Sequence, residues 1–206
     1  MSLGVVLNPG LERLREGDAL DGASRVLSPS PNLSPAERAS AVRELFESGV
    51  DLLLVVGRGV PVRPDWATSG ALFALVSDHL NLTGDNPLVG ANDDRWGPRF
   101  PDLTDAWDPA LRRALRETLV GEGIELREGV LAGVAGPART AAELSMLRMM
   151  GADMAGEGFV HEAIVARHAG RRVVGLVVLA SDTELPGEST RAETVARAVV
   201  SELAAA

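Results

Sequence analysis

Cysteine is absent from the 206 residues, so neither a disulfide nor a thiolate metal centre can form. Histidine is scarce: His79, His161 and His168 have no spacing of the kind that holds a catalytic zinc, and no metal or other cofactor is expected. Positive charge is in deficit, with 20 Lys and Arg against 29 Asp and Glu, giving a net charge of −9. No basic run interrupts it. Nucleic acid and anionic membrane surfaces are thereby disfavoured as main partners, while a small local anion pocket is not. No apolar run approaches the ~20 residues of a membrane-spanning helix and no signal peptide opens the sequence, so a cytoplasmic protein is expected. Internal repeats and any sign of a second domain are missing, which leaves one domain over 1–206.

What is present is a chain that is 46% apolar and 24% charged, enough to bury a large core. Short apolar runs alternate with amphipathic stretches, the pattern of an α/β fold. Strands are expected at "LGVVL" (3–7), "VDLLLVVG" (50–57), "GALFALVSD" (70–78), "GVLAGVA" (129–135) and "RRVVGLVVLAS" (171–181). Helices are expected over 34–49, 108–120, 139–150, 160–170 and 189–204. The first of these has a complete start signal: Ser34 as cap, Pro35 in the first turn and Glu37 closing a capping box, with Gly49 beyond its end. The segment 20–35, with its Ser-Pro steps, reads as irregular. The architecture these elements predict is a mixed, mostly parallel central sheet with helices on both faces.

In an open sheet of this kind ligands bind beyond the carboxyl ends of the strands. Those ends read "NPG" (8–10), "GRG" (57–59), "AGPART" (135–140), "MAGEGF" (154–159) and "SDTE" (181–184), and glycine recurs in them as close approach of a ligand requires. One connection stands apart. "VSDHLNLTGDNPLVGANDDRWGPRFPDLTDAW" (76–107) has no strand or helix period, yet carries two tryptophans among its Asn, Asp and Arg residues.

Three stretches taken together resemble a known family. They are "SDHLNLTGDNPLVGANDDRWGPRFPDLTDAWDPALR" (77–112), "EGVLAGVAGP" (128–137) and "MLRMMGADMAGEGFVHEAIVARHAGRRVVGL" (146–176). In order and spacing they are similar to the trimeric purine nucleoside phosphorylases and their methylthioadenosine-cleaving relatives, over roughly residues 50–182. The resemblance implies a phosphorylase/hydrolase-like fold, a homotrimer, a purine nucleoside as substrate and phosphate as co-substrate, the products being free base and pentose 1-phosphate. Such a reaction needs a cradle for phosphate, a clamp for ribose and a polar partner for the base.

The resemblance also places candidate residues in each part. Gly10, Arg58 and Gly59 fall in the phosphate loops, although Asn8-Pro9-Gly10 stands where the family has Gly-Ser-Gly, and proline removes an N–H donor. The family's arginine- and histidine-bearing segment has no counterpart in the shortened 20–35 region. Gly158 replaces a serine and Glu157 the methionine under the ribose. Arg139 is a candidate in the shortened Ala138-Arg139-Thr140 run, where the family's base-binding glutamate has no clear counterpart; Ser181 replaces an asparagine that bonds the purine, and Asp182 beside it is a candidate general acid. Phe100 matches the residue that reaches a neighbouring subunit's ribose.

Other residues have plainer expected roles. His79 is expected to order the loop; Asp93, Asp94, Arg95 and Arg99 to form loop-internal and interface ion pairs; Trp96 and Trp107 to be interface or core aromatics; and His161 to be a surface or capping residue. Arg167 and His168 suit a helix end. Arg139 and Glu157 are expected to touch. Three functions stay open: phosphorolysis with altered specificity, a non-catalytic homologue that binds a nucleoside or another small ligand, and a nucleoside hydrolase.

Overall fold

The strand Leu52–Pro61 organises the chain, because three others are hydrogen-bonded to it. A computed structural model describes residues 2–8, 11, 13–16, 18–29, 33–68, 73–136, 139–179 and 188–205. In chain order the elements are β1 (Leu3–Leu7), α1 (Arg13–Glu16), a 3-10 turn (Asp18–Leu20), β2 (Arg25–Leu27), α2 (Pro35–Glu47), β3 (Leu52–Pro61), α3 (Pro64–Thr68) and β4 (Phe73–Leu82). They continue with α4 (Pro109–Gly121), β5 (Leu126–Val134), α5 (Ala141–Met149), β6 (Met154–Gly156), α6 (Val160–His168), β7 (Arg172–Leu179) and α7 (Glu188–Ala205).

The sheet is mixed, as expected, but it is not open. β3 pairs in parallel with β1 and β7, and its far end pairs antiparallel with β6. β7 pairs antiparallel with β4, β4 runs parallel to β5, and β5 runs parallel to β6. Strands β3, β7, β4, β5 and β6 therefore close into a barrel-like ring, with β1 and β2 extending from one side. The consequence is local. Because Gly156 lies opposite Gly59, the carboxyl end of β6 arrives beside the later residues of β3 and the end of β1.

Alternation along β3 divides the core. Leu52, Leu54 and Val56 face one side with α4, α7 and the 3-10 turn; Leu53 and Val55 face the other with α2 and α6. Helix α4 shows why its sequence folds so: Leu111, Leu115 and Leu119 recur every turn and are buried, and Asp108 caps Ala110 and Leu111. The box at the start of α2 forms as expected, with Ser34 N–H donating to the Glu37 carboxylate at 2.8 Å. Gly49, at φ +95°, follows the helix. The region 20–35 is less irregular than expected, since β2 pairs in parallel with β1.

The long connection after β4 is ordered by its own polar groups, and its Asn and Thr side chains act as local staples. Asn81 Nδ2 donates to the Asp85 carbonyl at 2.8 Å, Asn92 Nδ2 to the Gly97 carbonyl at 3.0 Å, and Thr83 Oγ1 to Asn81 Oδ1 at 2.7 Å. Arg95 pairs with Asp93 at 2.6 Å, and Arg99 donates to the Gly90 carbonyl. Trp107 is fully buried in the core, and its indole Nε1 donates to Nδ1 of His79 at 3.1 Å. His79 thus orders the loop, as its sequence context predicts.

That bond needs Nδ1 unprotonated. Burial lowers the pKa of His79 below its ordinary 6.5, with Asp78 pulling weakly the other way. The contribution of this contact is whole above pH 6.5 and is lost as pH falls through the lower folded value. Thermal unfolding followed from about pH 8 down to about pH 5 should show an acid-side decline that is shallower in His79→Gln, which keeps an acceptor without the proton. Identical slopes would rule the contact out as a cause.

Candidate functional site

The ends of β1, β3 and β6 converge on Asn8. Its backbone N–H donates to the Val56 carbonyl at 2.8 Å, which extends β1 along β3 by one residue. Its amide group rests between two glycines: a Cβ on Gly57 would lie 2.9 Å from Asn8 Nδ2, and one on Gly158 would lie 2.5 Å from it. A Cβ on Gly57 would also meet the Phe159 ring at 2.6 Å and Gly158 has φ +79°, so the asparagine side chain is one of several constraints that keep these positions glycine. This is the ground where the resemblance places the phosphate cradle.

The turn from β6 into α6 is tight. Val160 N–H donates to the Gly158 carbonyl at 2.8 Å, and Phe159 between them has φ 70° and ψ −56°. That is the rare γ-turn geometry, which costs a non-glycine residue about 1–3 kcal/mol. Phe159 is wholly buried in the core, and its packing holds the turn in place. The turn starts α6 immediately after β6 and brings His161 and Glu162 to the site.

Helix α2 supplies the cation. One guanidinium nitrogen of Arg38 donates to Asn8 Oδ1 at 3.2 Å and to Glu162 Oε1 at 2.9 Å. Both charged side chains are out of solvent, at 8% and 0% exposure. An ion pair so placed holds Asn8, α2 and α6 in one arrangement.

Beside this cluster lies a cavity of about 250 Å³. Arg38, Gly158 and His161 line it, and Thr83, Asp85 and Glu157 contribute polar groups from the loop and the β6–α6 turn. Burial holds the imidazole of His161 below its ordinary pKa, outweighing the opposite pull of Glu162 and Asp85, so the ring is neutral near pH 7. The walls thus carry two carboxylates, and the cation among them already has a carboxylate partner. Among the described residues, no cluster of His, Asp or Glu is arranged to hold a metal, and no helix is long and apolar enough to cross a membrane.

Several predicted site residues are brought together and others are not. Glu157 and Gly158 line the cavity. Gly59 pairs with Gly156, and a Cβ there would lie 2.9 Å from the Ala155 carbonyl, so strand crowding accounts for this glycine. Arg58 sits on the face of β3 that carries Leu54 and Val56, opposite to Gly57 and Asn8. Arg139 directly precedes Thr140, the cap of α5, and is not among the cavity-lining residues, although β5 and β6 do place it and Glu157 at the same end of the sheet. Phe100 stands out on the loop at 87% exposure with the Arg99 guanidinium over its ring. Gly10, Ser181 and Asp182 lie outside the described residues.

His161 corrects its expected role: it is 8% exposed and lines the cavity. Asn8 lies in a loop the sequence singles out, though it was not named as a site residue, and Arg38, Glu162 and Asp85 were not expected in a site. For Arg38 a signal was available, since it falls one turn before Val42 and two before Leu45, on the buried stripe of α2.

The family model for the phosphorylase superfamily matches residues 9–206, and the chain belongs to that family. Over 136 residues it is 40% identical to purine nucleoside phosphorylase 1 of Geobacillus stearothermophilus, covering 66% of this chain and 49% of that one. Over 144 residues it is 41% identical to the purine nucleoside phosphorylase of Rattus norvegicus, covering 67% and 49%. These matches span about half the length of the relatives. In three dimensions the chain overlays a purine nucleoside phosphorylase of Schistosoma mansoni solved with a monocyclic inhibitor, with TM-score 0.84, 24% identity and coverage of 97% and 89%. A purine nucleoside phosphorylase complex with ribose-1-phosphate gives TM-score 0.84, 23% identity and the same coverage.

Removing one member of the buried pair leaves a charge without its partner. Arg38→Ala should lower unfolding stability by about 3–5 kcal/mol, and the double change Arg38→Met with Glu162→Leu should cost less than either single change. Urea unfolding of the cycle measures this. Additive losses would mean the two charges do not depend on each other.

Proposed function

We propose that this chain binds a purine nucleoside or a close relative through its sugar hydroxyls, and that phosphate is not its co-substrate. The observation that carries the reading is the filled cradle: the Asn8 amide lies between Gly57 and Gly158, and Arg38 beside it is neutralised by Glu162. A phosphate dianion would have to displace Asn8 and would meet the exposed carboxylates of Glu157 and Asp85, with Arg38 already paired to Glu162. A neutral polyol meets no such barrier. Carboxylates accept hydrogen bonds from hydroxyls, and Glu157 and Asp85 face the same cavity. Val134 and Ala135 add the apolar surface a base requires. Family membership and the purine nucleoside phosphorylases to which the chain is similar support the choice of nucleoside.

Calorimetry with inosine, guanosine, adenosine and methylthioadenosine, each with and without phosphate, tests this. At least one nucleoside should bind with an affinity indifferent to phosphate, and Glu157→Ala should weaken it about tenfold. Release of base that requires phosphate would overturn the reading in favour of phosphorolysis.

We further infer a homotrimer, as the family resemblance implies, with the loop after β4 at the subunit contact. Phe100 and Val89 support it, for both are apolar and more than four-fifths exposed, at 87% and 81%. Sedimentation should give the trimer mass, shifting to smaller species in Phe100→Asp. A monomeric wild type would refute it.

A further inference from the structure

One charge on the cavity wall departs from the family pattern. Glu157 stands where that pattern has a methionine, and its side chain is exposed at the turn between β6 and α6. Asp85 lines the same cavity from the loop. Its backbone carbonyl accepts from Asn81 Nδ2 at 2.8 Å, and one of its carboxylate oxygens accepts from the Asn86 N–H, so its position is fixed. Arg38, the lining cation, already has Glu162 as ion-pair partner at 2.9 Å. Asp85 and Glu157 therefore leave the cavity with an excess of negative charge. A third acceptor lies with them. His161 lines the cavity, is 8% exposed, and its Nε2 has no hydrogen-bond partner within the protein. Asp85 is near enough to act on this imidazole, yet burial keeps the ring neutral near pH 7, with a lone pair on one nitrogen.

We propose that Glu157, Asp85 and His161 form a subsite for a protonated amine, so that the ligand is an amino-substituted nucleoside and Glu157 sets the preference for amine over hydroxyl. The inference rests on the nucleoside-binding reading and names one group of the ligand. Proton count separates the two groups. A hydroxyl has one proton to donate and satisfies one of the three acceptors. A primary ammonium has three, and each bond to a carboxylate is charge-assisted, roughly twice as strong as a neutral one. Two carboxylates on one cavity of about 250 Å³ also repel each other, and a cation between them relieves that repulsion. The neutral imidazole completes the set without adding a charge that would oppose the ligand.

Calorimetry at about pH 7 with adenosine, 5′-amino-5′-deoxyadenosine and 3′-amino-3′-deoxyadenosine tests this on the wild type and on Glu157→Gln. Glu157 is exposed, so the substitution leaves the core intact. At least one amino nucleoside should bind the wild type about tenfold more tightly than adenosine, and in Glu157→Gln that ratio should fall about fivefold. Amino nucleosides that bind no more tightly than adenosine overturn the subsite and leave the nucleoside reading standing. A preference for the amine that is unchanged in Glu157→Gln overturns the role given to Glu157 in the same way. A wild type that binds none of the three overturns the subsite and the nucleoside reading together.

Discussion

The pairing of β3 with three neighbours is the constraint on which the rest depends. A strand in an open sheet has two partners. This one is long enough to have β1 and β7 along its first part and β6 at its end, and that third pairing closes the ring. Closure sets the site. It reverses β6 relative to β3, so that the turn after Gly156 comes back over Gly57 and meets the end of β1. Without it the Asn8 amide would have no second wall, and α6 would not begin where Glu162 can reach Arg38.

Charge is the second constraint on the site. Related sites that handle phosphate need unpaired donors and net positive potential, whereas this cavity has its cation bonded to a fully buried carboxylate and two further carboxylates on its walls. The arrangement is internally consistent: an asparagine fills the space, an arginine holds the asparagine, and a glutamate balances the arginine. Each of the three is explained by the next, and the fold by itself does not fix what such a cluster binds.

Much of the fold was legible in the sequence because its signals are local. Ser34 and Glu37 announce α2, the leucines at 111, 115 and 119 announce the buried face of α4, and the apolar run at 52–56 announces a strand covered on both faces. The short strands β2 and β6, three residues each, carry no period to read and exist through their partners. Ring closure was not legible either, since it depends on the register of Gly59 with Gly156, far apart in sequence. For the site, loop motifs pointed to Glu157 and Gly158, while no motif marks Arg38. Spacing placed it on the buried stripe, but only its partners, thirty and 124 residues away in sequence, give that position a meaning.

The γ-turn at Phe159 has a consequence for motion. Its backbone lies in a conformation that a phenylalanine avoids, and the ring that enforces it belongs to the core shared by α2, α6 and β3. Relaxing the turn would require the ring to leave, which is an event on the scale of unfolding and not of local breathing. The turn that carries Glu157 and Gly158 to the cavity is therefore tied to the core. The loop after β4 is tied by hydrogen bonds open to water and belongs to a faster class of movement. The two sides of the cavity are thus held differently, the β6–α6 turn by the core and the loop by exposed hydrogen bonds.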